Sequence, residues 1–201
     1  MHEDACMIVE TSIHSFSLWH HFANKVDFDA IDFTDLARSM GYQGISLSLN
    51  DINYRHLGGR GDDRMDRLSR HLKSHEMKLE VDTSNTTPVH MSEMLKVANR
   101  MGATSLRTYT HYRGDVDQMI KKTACDLKEV MDEASDLGII IVLENHEDFT
   151  GPELVKIIEL VNHPNLKILY DYGNSQMVLE DPMTALEAVL PHVYSVHFKD
   201  H

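Results

Sequence analysis

The alternation of two kinds of segment along the chain limits the possible folds most strongly. Seven short runs rich in aliphatic and β-branched residues alternate with amphipathic segments whose apolar residues recur at helical spacing. The predicted strands are CMIVETSIH, GISLSLN, KLEVDTS, SLRTYTH, IIIVLENH, LKILYDYGN and VYSVHFKD. Strands separated by helices pair in parallel through right-handed crossovers, so the sequence predicts either an open doubly wound sheet or a (β/α)8 barrel.

The helical segments carry their own boundary signals. Asp181 followed by Pro182 predicts an N-cap and a first helical residue, and Gly41, Gly102 and Gly138 predict helix C-terminal caps. The predicted helical segments are DFTDLARSMG, DRMDRLSRHLKSHEM, HMSEMLKVANRMG, DVDQMIKKTACDLKEVMDEASDLG, GPELVKIIELVNH and DPMTALEAVLPH. No linker-like or low-complexity stretch interrupts the series, so a single domain over residues 1–201 is expected.

Two observations favour the barrel. No Gly-rich dinucleotide or phosphate-loop motif follows the first strand, and polar or ionisable residues follow nearly every strand, where barrel enzymes build their sites. The predicted fold class is therefore α/β, a (β/α)8 TIM barrel of which about seven strands are present. Since such barrels run to about 250 residues, we expect a longer native protein that adds the last βα portion.

Composition excludes some partners. The formal net charge of −13 disfavours nucleic acid, because phosphate binding needs clustered Lys and Arg. The longest apolar run, residues 139–143, is too short to cross a membrane. The two cysteines, Cys6 and Cys125, have no CxxC spacing, which favours a reducing cytoplasm. A homo-oligomer remains open.

Three successive strand ends carry metal-type ligands. Glu144 lies in VLENHE, Asp171 in LYDYGN and His197 in SVHFKD. Two carboxylates and one imidazole suit Mn, Mg, Co or Zn better than copper or an iron–sulfur cluster. Each residue alone has an ordinary structural explanation, as a helix cap or a core histidine. Their recurrence at three strand ends predicts a divalent metal site.

Other polar residues predict a substrate pocket less strongly. Arg107, Tyr109 and His111 share one face of the fourth strand, and a buried Arg requires an anion. That anion could be a substrate carboxylate, or Glu144 or Asp82 in a salt bridge inside the barrel. Three histidines that follow strands are candidates to line a sugar pocket: His14, His56 and His146.

The motifs LENH, DYGNS and DPMTALEAVLPHVYSVHFKD together resemble one family, the xylose isomerase-like TIM barrels. Its members include sugar phosphate isomerases and epimerases, ketose 3-epimerases, dehydratases and AP endonucleases. The matching pattern is Glu on the fifth strand, Asp-x-x-Asn/His on the sixth, and His-x-Lys-Asp on the seventh. The resemblance covers essentially the whole chain.

The resemblance implies roles for particular residues. Glu144, Asp171 and His197 become metal ligands, Asn174 faces the substrate, and Lys199 contacts the substrate or an intermediate. In this family a second glutamate on the eighth strand is the fourth ligand, and the two glutamates share proton transfer across the substrate. Glu144 and Lys199 are accordingly the predicted catalytic residues.

The implied mechanism passes through an enediolate of a small polyhydroxylated ketone or keto acid. One such intermediate serves isomerisation, epimerisation, dehydration and decarboxylation, so the ligand set does not separate these reactions. A sugar isomerase or epimerase is the leading prediction. A lyase of a 3-oxo sugar acid such as 3-oxo-isoapionate is the alternative, and a non-catalytic sugar-binding remnant is another. The acidity disfavours an endonuclease.

Overall fold

The computed structural model describes residues 9–199, which divide into two compact units with the boundary between Leu79 and Glu80. The expected single domain over residues 1–201 stays a prediction. In the described residues seven β-strands alternate with helices, as the sequence pattern predicts. The first strand is shorter than predicted: it begins at Ser12, and the first residues of the predicted run lie outside the described residues.

The first unit begins with two parallel strands and three helices. In chain order these are β1 (Ser12–His14), α1 (Trp19–Asn24), α2 (Ala30–Ser39), β2 (Gly44–Ser48) and α3 (Asp62–Ser74). Strand β1 pairs in parallel with β2, with Ile13 opposite Ile45. Helix α2 begins with a capping box in which Asp29 and Asp32 each accept a backbone N–H.

Strand β3 (Lys78–Asp82) crosses the boundary, and the second unit continues with four strands and five helices. In chain order these are α4 (Pro88–Met101), β4 (Ser105–Thr108), α5 (Val116–Lys128), α6 (Met131–Asp136), β5 (Ile140–Glu144), α7 (Gly151–Val161), β6 (Leu166–Asp171), α8 (Pro182–Val189) and β7 (Val193–His197). Strands β3 to β7 pair in parallel, each with the next along the chain.

The helix boundaries follow local chemistry. The Asp181 side chain accepts the Thr184 N–H at the start of α8, as the Asp-Pro pair predicts. Gly41, Gly102 and Gly138 all take positive φ angles just after helices, which is the conformation that favours glycine.

One predicted helix was wrong in its extent. The segment 115–138 forms two helices, α5 and α6, because the Val130 N–H bonds to the Leu127 carbonyl three residues back and breaks the α-helical repeat. Both helices bury apolar side chains, so hydrophobic spacing continues across the break and hides it from the sequence.

A register shift between β6 and β7 positions the end of the second unit. Ile168 lies opposite Val193, but Leu169 lies opposite Ser195, so β7 contains one extra residue, a β-bulge. From there the register continues to Asp171 opposite His197. Without the bulge, Val196 would lie opposite Asp171, and His197 would lie one position further along.

Candidate metal centre

The last residues of three neighbouring strands form one cluster in the second unit. Glu144 ends β5, Asp171 ends β6 and His197 ends β7. One ligand atom from each lies within 4.8 Å of the others. His197 Nδ1 lies 3.6 Å from a Glu144 oxygen and 4.0 Å from an Asp171 oxygen. The structure thus brings together the three residues predicted as ligands.

The two carboxylates are buried. Glu144 is 3% exposed and Asp171 is 2% exposed, whereas the His197 side chain is 24% exposed. Removing a carboxylate from water is costly unless cations and hydrogen bonds compensate it. We therefore expect cations and hydrogen-bond donors around the Glu144 and Asp171 carboxylates.

Asn145 fixes the position of Asp171. Its side-chain amide donates to the Asp171 carbonyl at 2.8 Å and its oxygen accepts the Asp171 N–H at 2.6 Å. The Asp171 oxygen Oδ1 accepts the N–H groups of Gly173 and Asn174, which leaves Oδ2 toward His197 and Lys199. No role for Asn145 was predicted from the sequence. Its signal there is an amide residue directly after Glu144 at a strand end.

Arg107 lies between two carboxylates. Its guanidinium makes ion pairs with Asp82 on β3 and with Glu144, and it lies 4.8 Å from the Tyr109 ring centroid. The salt-bridge alternative for Arg107 is therefore present in the structure. Its Nε–H is buried and has no hydrogen-bond partner among the described residues.

Lys199 and Asn174 connect the two ligand carboxylates. The Lys199 ammonium lies 3.1 Å from Asp171 Oδ2 and donates a hydrogen bond to Asn174 Oδ1. The Asn174 amide donates to a Glu144 oxygen at 3.4 Å. The structure thus places both of these predicted site residues against the ligand cluster.

A further carboxylate lies beside His197. The Nε2 atom of this histidine lies 3.9 Å from Glu80 on β3. Arg107 pairs with Asp82 and Glu144, and Lys199 pairs with Asp171. Two carboxylate oxygens and one imidazole nitrogen, from Glu144, Asp171 and His197, lie within 4.8 Å of one another, and this donor set fits a divalent cation.

Aromatic residues from the next loops lie beside Arg107. The His146 ring stacks on Tyr109 with centroids 3.9 Å apart, and Tyr109 lies 5.3 Å from His111. Burial, and then the charge of Arg107, lowers the pKa of His146, so this ring is neutral at pH 7. Neutral aromatic surface next to charged groups suits a sugar, whose faces are partly apolar.

His14 and His56 lie in the first unit, after β1 and β2. His56 Nδ1 lies 2.9 Å from the Ser15 hydroxyl, and its ring stacks on Phe22 at 4.3 Å. His14 Nδ1 accepts the Phe16 N–H and stacks on the Phe16 ring. Their predicted contact with substrate stays a prediction.

Comparison with known proteins identifies the family. A family profile described as "Xylose isomerase-like TIM barrel" matches residues 34–201. The chain belongs to that family. This confirms the family predicted from the LENH and DYGNS motifs and the TIM-barrel fold class predicted from the strand and helix pattern.

Two curated proteins are similar in sequence. YihM of Escherichia coli K12 is 27% identical over 169 residues, which is 84% of this chain and 52% of that protein. A 3-oxo-isoapionate decarboxylase of Pectobacterium atrosepticum is 24% identical over 127 residues, which is 62% of this chain and 45% of that protein. The chain spans about half the length of these relatives.

Solved structures share the fold. A D-psicose 3-epimerase determined with D-fructose has a TM-score of 0.76 at 14% identity, over 94% of this chain and 72% of that one. The IolI protein, determined with a bound zinc atom, has a TM-score of 0.71 at 14% identity, over 89% and 68% of the two chains. At these identities the likeness establishes the fold alone.

None of the helices within residues 9–199 has both the length and the apolar character that crossing a membrane requires.

Proposed function

We propose that the protein is a divalent-metal-dependent isomerase or epimerase of a small polyhydroxylated ketone. The observation that carries the proposal is the cluster of Glu144, Asp171 and His197, whose donor atoms lie within 4.8 Å of one another and whose two carboxylates are buried. The likeness to sugar epimerases supports the substrate class.

Glu144, Asp171 and His197 would hold the ion. Two carboxylate oxygens and an imidazole nitrogen suit Mn, Mg, Co or Zn. When bound, such an ion supplies Lewis acidity toward a substrate carbonyl oxygen and orients the neighbouring hydroxyl. The fold leaves these side chains at the carboxyl ends of parallel strands, where enzymes of barrel architecture bind their substrates.

Glu144 is the proposed base for proton transfer at carbon. One of its oxygens pairs with Arg107, and the other faces His197 Nδ1 at 3.6 Å and the Asn174 amide. Arg107 and Asn174 therefore fix the direction of the carboxylate. A fixed carboxylate at the substrate's reactive carbon removes a proton and returns it with defined geometry.

Lys199 is the proposed proton or hydrogen-bond donor to a substrate oxygen. Its ammonium contacts Asp171 and Asn174, and its side chain is one-third exposed, so a substrate oxygen that reaches it from solvent can replace the Asn174 contact. Asn174 then offers its oxygen to a substrate hydroxyl. The two residues would bind substrate next to the ligand carboxylates.

A decarboxylase of a 3-oxo sugar acid is the second candidate, favoured by the similarity to the 3-oxo-isoapionate decarboxylase. In this alternative Lys199 is the better contact for a substrate carboxylate. Arg107 is already paired with Asp82 and Glu144, so an anionic substrate would have to displace one of those carboxylates. That geometry places the decarboxylase second.

The test incubates the full-length protein with Mn and a panel of ketoses and 3-oxo sugar acids in deuterated water. An isomerase or epimerase incorporates deuterium at the carbon beside the carbonyl of a ketose and releases no carbon dioxide. A decarboxylase releases carbon dioxide only from the acids. Glu159→Gln, at an exposed position of α7, is the control for Glu144→Gln.

Binding of a ketose without exchange or turnover, under every metal in the panel, would overturn both enzymatic proposals in favour of the sugar-binding alternative. Loss of turnover in Glu144→Gln with retention in Glu159→Gln is the expected result. Equal activity in the two variants would remove Glu144 from the chemistry.

A further inference from the structure

A second group of metal-type ligands lies in the first unit, where helices α2 and α3 meet. His71 lies in the last turn of α3, His75 is the residue that directly follows this helix, and Asp35 lies on α2. One ligand atom from each of the three residues lies within 4.8 Å of the others. Neither the sequence motifs nor the similar proteins point to a role for this group.

The local structure brings the three side chains together. His75 follows His71 by four residues, about one helical turn, and as the C-cap of α3 it stays beside the last turn: the two rings lie 4.7 Å apart at an angle of 76°. Asp35 Oδ1 already lies 2.9 Å from His71 Nε2. Two helices therefore contribute to the group, which is a stronger arrangement than neighbouring histidines on one helix.

We propose that Asp35, His71 and His75 bind a zinc ion that links α2 to α3. Two imidazoles and one carboxylate are borderline ligands that suit zinc, whereas Mg and Ca prefer sites made of oxygen alone. A tetrahedral zinc with bonds of about 2.0–2.1 Å places its ligand atoms roughly 3.4 Å apart. The Asp35 and His71 atoms are already at that scale, and the His75 nitrogen, within 4.8 Å of both, would move closer on binding.

The exposure of the group fits an ion that enters from solvent. The side chain of Asp35 is 49% exposed and that of His71 is 21% exposed. Three protein ligands leave the fourth zinc position to water. The competing explanation is a surface His–Asp pair that only steadies the contact between the helices, and the two explanations differ in whether His75 matters.

The test measures zinc stoichiometry by titration calorimetry on the full chain after treatment with a chelator. The wild type is expected to bind one equivalent more than His71→Gln/His75→Gln. His20→Gln, at an exposed position of α1, is the matched control and keeps the wild-type stoichiometry. Equal stoichiometry in the wild type and the double variant overturns the proposal.

A second pair of variants separates this site from the proposed catalytic one. Asp171→Asn/His197→Gln removes the other ligand group, so its zinc binding reports α2 and α3 alone. The proposal is supported if Asp171→Asn/His197→Gln binds one equivalent of zinc and loses it when His75→Gln is added. Zinc binding that survives His75→Gln unchanged, or is absent from Asp171→Asn/His197→Gln, overturns it. Zinc-dependent thermal stabilisation of Asp171→Asn/His197→Gln, lost with His75→Gln, is the expected second readout, because a ligand specific to the native state stabilises it.

Discussion

Two groups of similar ligands differ in how the chain supports them. Asp35, His71 and His75 project from helix surfaces, with the Asp35 side chain about half exposed. Glu144, Asp171 and His197 end neighbouring strands, and their carboxylates are almost completely buried. The buried group has partners on nearly every oxygen, including Arg107, Lys199 and two backbone N–H groups. The two proposed metal sites would therefore serve different purposes: an exposed group suits a link between helices, and a group with buried, hydrogen-bonded carboxylates suits chemistry.

Replacing a ligand carboxylate tests this difference most severely. Glu144→Gln keeps the size of the side chain but removes the base and one charged ligand. Turnover is expected to fall by roughly 10²–10⁴-fold, the usual contribution of a positioned general base. Steady-state kinetics at saturating metal measures it. If Glu144→Gln loses no more activity than Glu159→Gln, the buried group is no more catalytic than the exposed one.

Arg107 tests whether burial makes a charge pair consequential. Arg107→Leu leaves Asp82 and Glu144 buried without their cation and should cost about 3–5 kcal/mol in the free energy of unfolding, the range for breaking a buried pair. Chemical denaturation measures the loss. Lys78 is the control: it pairs with Glu10, and both side chains are more than half exposed, so Lys78→Leu should cost less than about 1 kcal/mol. Similar losses in both variants would contradict the comparison.

Asn145 tests whether hydrogen bonds that position Asp171 contribute to metal affinity. Asn145→Ala removes both hydrogen bonds to the Asp171 backbone while leaving every ligand in the chain. Metal affinity should fall by about 10–100-fold, which is typical for a residue that orients a ligand. Equilibrium dialysis with Mn measures the change. An unchanged affinity would show that the strand ends alone position Asp171.

The smallest expected effect is on how the free energy of unfolding changes at acid pH. Burial, which outweighs the opposing charge of Glu93, lowers the pKa of His90, whose Nε2 lies 2.8 Å from the Thr83 hydroxyl. Because the unfolded chain takes up this proton first, the contribution of His90 to stability is present above about pH 6.5 and declines as the pH falls below it. Between pH 7.5 and pH 5.5 the free energy of unfolding should fall less in His90→Gln than in the wild type, as measured by chemical denaturation at both pH values. An identical decline in both proteins would exclude His90 as a source.

Much of the fold follows from the sequence because strand and helix periodicities differ. The strands near Leu47, Val81 and Ile141 are buried apolar runs between helix caps, so their order and type were predictable. The meeting of Glu144, Asp171 and His197 was predictable because parallel strands end on the same edge, so side chains far apart in sequence meet there; their role as ligands stays a prediction. The break at Val130 was not, since apolar spacing continues through it.

Tertiary contacts without a local pattern stayed outside the prediction. Asn145 acts through backbone groups of another strand, which no spacing in the sequence reveals. Asp35 and His71 are on different helices, and their approach depends on how α2 packs against α3. The preference of Arg107 for Asp82 and Glu144 depended on distances, so the sequence left the substrate alternative open.

The β-bulge in β7 makes residue number a poor guide for anyone who edits this part of the chain. Deleting Tyr194 would restore the simple register and leave His197 opposite Asp171, because Leu169 already lies opposite Ser195. Straightening β7 at its full length would instead set Val196 opposite Asp171, and the His197 side chain would then face away from Glu144 and Asp171. A gap at position 194 in an alignment therefore keeps the same side chains on one face, whereas an ungapped match to a strand without a bulge shifts them by one residue, even when every motif letter is preserved.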